Sequence, residues 1–116
     1  MAWKKGMQLV GAICDATDSF PQHEIYGLTS QLRRAAVSIP SNIAEGQAHY
    51  TNPEFIRFLR HARGSLAEIE TQVLISRDRG YLREEQADKL IAKADELGRV
   101  LSGLINSMKK LEEDGG

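Results

Sequence analysis

The chain has 116 residues, 41% of them hydrophobic and 27% charged, with 15 Lys and Arg against 16 Asp and Glu, a net charge of −1. That size and mixture suit one ordinary globular domain and exclude a disordered or membrane-spanning chain. The near-neutral balance also lacks the clear positive charge of domains built mainly to grip nucleic acid.

The single cysteine, Cys14, has no partner for an internal disulfide, which suits a reducing cytoplasm. The apolar run from Leu9 to Ile13 is short and is closed by Asp15 and Asp18, so no signal peptide is expected. No apolar run reaches the roughly 18 residues needed to span a bilayer. The expectation is a soluble cytoplasmic protein with no membrane partner.

Hydrophobic periodicity predicts four helices. The first runs from about Trp3 to Asp18, where Trp3, Met7, Val10, Cys14 and Thr17 alternate spacings of four and three, the period of a helix seam. A second stripe, Leu9, Ile13, Ala16 and Phe20, lies beside it, so this helix should bury more than one face. Phe20-Pro21 ends it, because the residue before proline is pushed out of the helical region. The second helix should begin between His23 and Gly27 and reach about Gly46, a plausible C-terminal cap. Its inner stripe is Leu28, Leu32, Ala35, Ile39 and Ile43. That stripe keeps register across Pro40, which predicts a helix kinked there but not broken.

Helix three opens on Thr51-Asn52-Pro53-Glu54: a cap, a first-turn proline and an acidic residue at the positive helix end. Phe55, Leu59, Ala62, Leu66, Ile69, Val73 and Ser76 form its seam, and Gly80 closes it. Helix four starts near Arg83-Glu84-Glu85 with the seam Ala87, Leu90, Ala94, Leu97, Leu101, Leu104, Met108 and Leu111. The tail from Glu112 to Gly116 should fray. Four amphipathic helices on short loops predict an all-α, antiparallel up-and-down four-helix bundle. It forms one domain whose core spans about residues 3–111.

Signatures of chemistry are missing. His23, His49 and His61 stand far apart in sequence, and none has a helical ligand partner at i+3 or i+4. There is no glycine-rich phosphate loop, no serine elbow and no cysteine pair. No catalytic residue, metal site or cofactor is predicted, and Cys14 reads as a small buried apolar residue.

Three local features stand out. The first is a basic patch of Arg57, Arg60, His61 and Arg63, to which Arg33 adds as a candidate nucleic-acid or partner contact. Residues 27–64 hold five arginines against two glutamates, a net +3, whereas residues 84–114 hold five basic against eight acidic groups, a net −3. A solvated face, pairing between subunits and docking of an RNA backbone all remain open. The second is a polar stripe on helix two, Arg34, Ser38, Ser41 and Glu45, suited to a subunit or helix contact and equally to solvent. The third is Gly64, whose place inside a helix costs roughly 1 kcal/mol relative to alanine. It projects outward, where another backbone could approach. With the doubly apolar first helix, it points to a homo-oligomer.

Phe20-Pro21 and the stretch from Tyr26 to Ala36 are followed by Ser38-Ile39-Pro40-Ser41-Asn42-Ile43-Ala44-Glu45-Gly46. Phe58-Leu59 and Gly64-Ser65-Leu66-Ala67-Glu68 complete the pattern. Over roughly residues 3–110 it resembles the bacterial four-helix bundle proteins encoded in intervening sequences of 23S ribosomal RNA genes, also labelled S23 ribosomal proteins. The resemblance implies a homopentameric ring or barrel. It also implies kinship with the accessory bundle proteins of diversity-generating retroelements, which work with a reverse transcriptase and nucleic acid, and it implies no enzymatic activity. Two functions follow as expectations. One is a non-enzymatic oligomeric scaffold with an RNA or nucleoprotein partner; the other is a protein–protein adaptor ring without nucleic acid.

Overall fold

The computed structural model describes residues 1–48 and 51–115. Four helices account for most of them: α1 (Ala2–Thr17), α2 (Leu28–Ala48), α3 (Asn52–Asp78) and α4 (Glu84–Gly115). They pack antiparallel as an elongated bundle of 51 × 24 × 19 Å. His49, Tyr50 and Gly116 lie outside the described residues.

The helix ends follow from local chemistry. Thr51 caps α3 by accepting from the Glu54 amide. At the other end Gly80 takes φ of +79°, a left-handed conformation that glycine adopts without strain. Gly80 N–H then donates to Arg77 C=O and Tyr81 N–H to Ser76 C=O, which satisfies carbonyls the helix leaves open. Before α2, a single 3₁₀ turn over Gln22–Glu24 carries a carboxylate back to the helix start. Glu24 accepts from the Leu28 amide and from the Tyr81 hydroxyl. Those two donors hold its carboxyl below the usual value, because both favour the charged form. Helix two therefore begins at Leu28, one residue past the expected range.

Helix two runs unbroken through Pro40, as its inner stripe required. It also runs past Gly46, which corrects that residue's role. Gly46 is no cap; it is buried against α3. A Cβ there would stand 2.8 Å from Phe58 Cβ and 2.9 Å from Phe55 Cδ1, so only glycine lets the two helices come this close.

The buried face of α1 corrects a second expectation. Ala2, Gly6, Leu9, Ile13 and Thr17 face the core, while Trp3 is 45% and Met7 46% exposed. The inward stripe is the Leu9–Ile13 one, and Gly6 lies beside Ile39 and Pro40, where an added Cβ would stand at ordinary contact distance, 3.5 Å.

Cross-helix pairs place α1 along the bundle. Gly6 sits against Pro40, Lys5 pairs with Glu96, and Arg63 reaches Ser102. Helix one thus starts near the level of Pro40, Arg63 and Ser102. Beyond that level only α2, α3 and α4 continue. At this end α4 packs against α3 and only the last turn of α2. Ile105 becomes the fully buried residue of α4, and Leu111 is 54% exposed. Leu104 and Met108 are only partly buried, so the expected seam holds to Leu101 and then turns. The tail does not fray at Glu112, since α4 stays helical to Gly115.

Candidate functional site

The residues expected to form one basic patch are distributed over three places. Arg33 belongs to the α1–α2 packing: its Nε donates to Thr17 Oγ1 at 2.9 Å and its Nη2 to Asp18 at 3.0 Å. Ser38 pairs with Ser65 across the antiparallel helices and Gly46 meets Phe58, so Arg33 stands about 13 residues, or roughly 20 Å, along the axis from Arg57. It does not join the patch.

Arg57 lies on the α2 side of α3. It donates to Glu54 at 2.9 Å and covers the Phe58 ring with its guanidinium carbon 4.7 Å from the centroid. The Glu54 bond and charge raise its pKa further. His61 stands beside the same ring. Arg60 and Arg63 turn towards α4. Arg60 shares an open groove with Ile56, Lys109, Glu112 and Glu113. Arg63 donates to Ser102 at 3.4 Å and lines a groove with Glu70, Asp95 and Arg99. Both side chains are accessible, and both have acidic neighbours.

In that second groove the Asp95 side chain hydrogen-bonds Glu70, and burial and the Asp95 charge act in the same direction, so Glu70's pKa is raised. The folded protein therefore holds this proton more tightly than the unfolded chain does. The pair costs stability above the folded pKa, and that cost disappears as pH falls below the ordinary value of 4.5. Asp95→Asn is expected to raise the melting temperature at neutral pH, with the gain fading below that value. Thermal melts of both proteins across the acid range check it.

The polar stripe of helix two divides as well. Ser38 donates to Ala35 C=O at 2.7 Å and contacts Ser65 Oγ at 2.6 Å. Ser38 lines a groove of about 410 Å³ with Arg34 and Glu68. Nearby, Gln72 Oε1 is a buried side-chain oxygen without a hydrogen bond. Ser41 faces the other way, into a groove between α1 and α2. That groove of about 300 Å³ is lined mainly by Trp3, Met7, Val10, Val37 and Pro40. Glu45 is exposed, and its charge reaches Arg57. Gly64 is exposed, and none of the described residues comes within 4 Å of where a Cβ would stand, so its outward direction is as expected.

The doubly apolar first helix signalled a second apolar face in the sequence; the part played by Val37 and Pro40 of α2 in that groove could not be read there.

Among the described residues no three His, Cys, Asp or Glu side chains come together to hold a metal. Among them, too, no helix is long and apolar enough to cross a membrane. Fold and surfaces define an all-α bundle with an apolar groove between α1 and α2 and open polar grooves beside α3. The chain belongs to the 23S rRNA-intervening sequence protein family, whose model matches residues 1–103. Among solved structures it is similar to a protein of unknown function from the S23 ribosomal protein family of Bacteroides thetaiotaomicron. The two are 19% identical over 90% of this chain and 98% of that one, with a TM-score of 0.81; the likeness carries the bundle fold. No curated protein matches the chain.

Proposed function

We propose that the protein is a non-enzymatic scaffold that works as a homo-oligomer, assembled through the outer face of α1 and its groove with α2. The observation that carries this reading is the apolar surface left open there. Trp3, Met7 and Val37 are 45%, 46% and 49% exposed around a groove with almost no polar lining atoms. Contiguous exposed apolar surface supports an interaction site, and tryptophan is among the residues that dominate interface energies. The family resemblance supplies the number five. Native mass spectrometry should show a particle of five 12.9 kDa chains, and spectra containing single chains alone would contradict the reading.

A second reading concerns RNA, which the family's description names only through its gene context. Arg60 and Arg63 line open grooves, and a ring would repeat them around its circumference and raise avidity without a new contact. Such binding would be largely independent of sequence and would fall steeply with salt. Fluorescence polarisation with single-stranded and structured RNA, between about 50 and 200 mM salt, tests it. Glutamate at Arg57, Arg60 and Arg63 together should abolish binding. No binding at the low-salt end would leave the adaptor ring as the function.

A further inference from the structure

The outward faces of α1 and α3 carry charges that form no ion pair among the described residues. On α1, Lys4 and Asp15 are exposed and have no ion pair; on α3, Arg60 and Glu68 are exposed and have none. Both faces centre on a glycine, Gly11 and Gly64, with nothing within 4 Å of a Cβ position. A glycine inside a helix costs roughly 1 kcal/mol relative to alanine, and neither is repaid by packing within the chain. Each face also has an apolar end: Trp3 and Met7 on α1, and Ile75, 45% exposed, on α3.

The order of charges along the two helices decides how they can meet. With Gly11 opposite Gly64 and the helices parallel, Asp15 falls against Glu68 and Lys4 against Arg57, so like charges face each other at both ends. With the helices antiparallel, Asp15 falls against Arg60. Lys4 then lies about three residues, or roughly 5 Å along the axis, from the level of Glu68, within reach of a lysine side chain. The apolar ends coincide in the same register, with Trp3 near the level of Thr71 and Ile75.

We propose that the outer face of α1 docks antiparallel on the outer face of α3 of a second copy, Asp15 meeting Arg60 and Lys4 meeting Glu68 where Gly11 and Gly64 cross. This rests on the oligomeric reading above and adds the partner surface to it. Because the two faces differ, the contact is heterologous, and repeating it generates a ring when the rotation closes. Two glycines at the crossing let the helix backbones approach closely. The contact takes Arg60, at the open edge of its groove with α4, and leaves outside it Arg63, which Ser102 of α4 holds.

Charge exchange tests the pairing. Asp15→Arg and Arg60→Asp each place like charges together, which is costly in an interface. Each should raise the concentration at which the assembly dissociates by roughly tenfold or more, read by sedimentation velocity. The double variant should restore the wild-type value, and Lys4→Glu with Glu68→Lys should behave the same way as an independent pair. All four residues are exposed, and circular dichroism of each variant should match the wild-type helix content. Wild-type assembly with single variants that dissociate no more readily would overturn this contact while leaving the oligomer standing. Single variants that dissociate without rescue by the double would also overturn it. A wild-type chain that stays monomeric would remove both readings.

Discussion

Gly46→Leu is expected to be among the most destabilising single substitutions in the bundle. A Cβ alone would stand 2.8 Å from Phe58 Cβ, nearer than real atoms approach, and leucine adds three more carbons in the same buried crevice. Overpacking of this kind costs about 1–3 kcal/mol. Part of it is offset by the roughly 1 kcal/mol gained when glycine leaves a helix interior. The size of leucine and the backbone of α3 behind Phe58 leave little room to relax, so a net loss remains. For a domain of this length each kcal/mol shifts the melting temperature by about 4 °C, well within calorimetric resolution. Gly11→Ala meets nothing within 4 Å in its own chain, and urea denaturation of both variants sets the two sites side by side. If Gly46→Leu melts no lower than wild type, α2 and α3 are not packed as closely as Gly46 indicates.

Glutamate at both Trp3 and Met7 is expected to reduce the assembled particle to single 12.9 kDa chains while leaving the helices intact. Neither residue contributes to the buried face of α1, which is made by Ala2, Gly6, Leu9, Ile13 and Thr17. Two carboxylates on the exposed stripe therefore cost the monomer little, because surface substitutions away from buried features change stability by about half a kcal/mol or less. In an interface they would sit desolvated in an apolar groove without counter-charges, where burial of an unpaired charge is strongly unfavourable. Size-exclusion chromatography and circular dichroism together separate loss of assembly from loss of fold. A double variant that keeps the wild-type mass would move the assembly surface elsewhere.

The architecture was largely legible in the sequence because its signals are local. Thr51 and Gly80 mark the ends of α3 by side-chain capping and backbone conformation, and the four-three spacing through Pro40 correctly implied that α2 continues. What could not be read were relations between helices. Helix one carries two apolar stripes of similar strength, and only the packing, which buries Leu9 and Ile13 and leaves Trp3 and Met7 exposed, shows which one faces inward. Gly46 looks like a helix stop until Phe55 and Phe58 are placed beside it. The exchange of Leu104 for Ile105 in the core follows from where α1 ends along the bundle, and periodicity within α4 carries no such information. The candidate site suffered most for the same reason. Arg33 appeared to extend a basic cluster, yet its partners are Thr17 and Asp18 on another helix. Arg57, Arg60 and Arg63 are close in sequence, but helical rotation sends Arg57 towards α2 and Arg60 and Arg63 towards α4. The outward direction of Gly64 was legible because it depends only on helical angle relative to the seam.

Self-assembly through the exposed α1 surface is the claim on which the functional reading depends. Light scattering coupled to size-exclusion chromatography, with wild-type protein at micromolar concentration, measures it most directly. The predicted result is a single species several times heavier than 12.9 kDa. A 12.9 kDa monomer that persists as the concentration is raised would contradict the account.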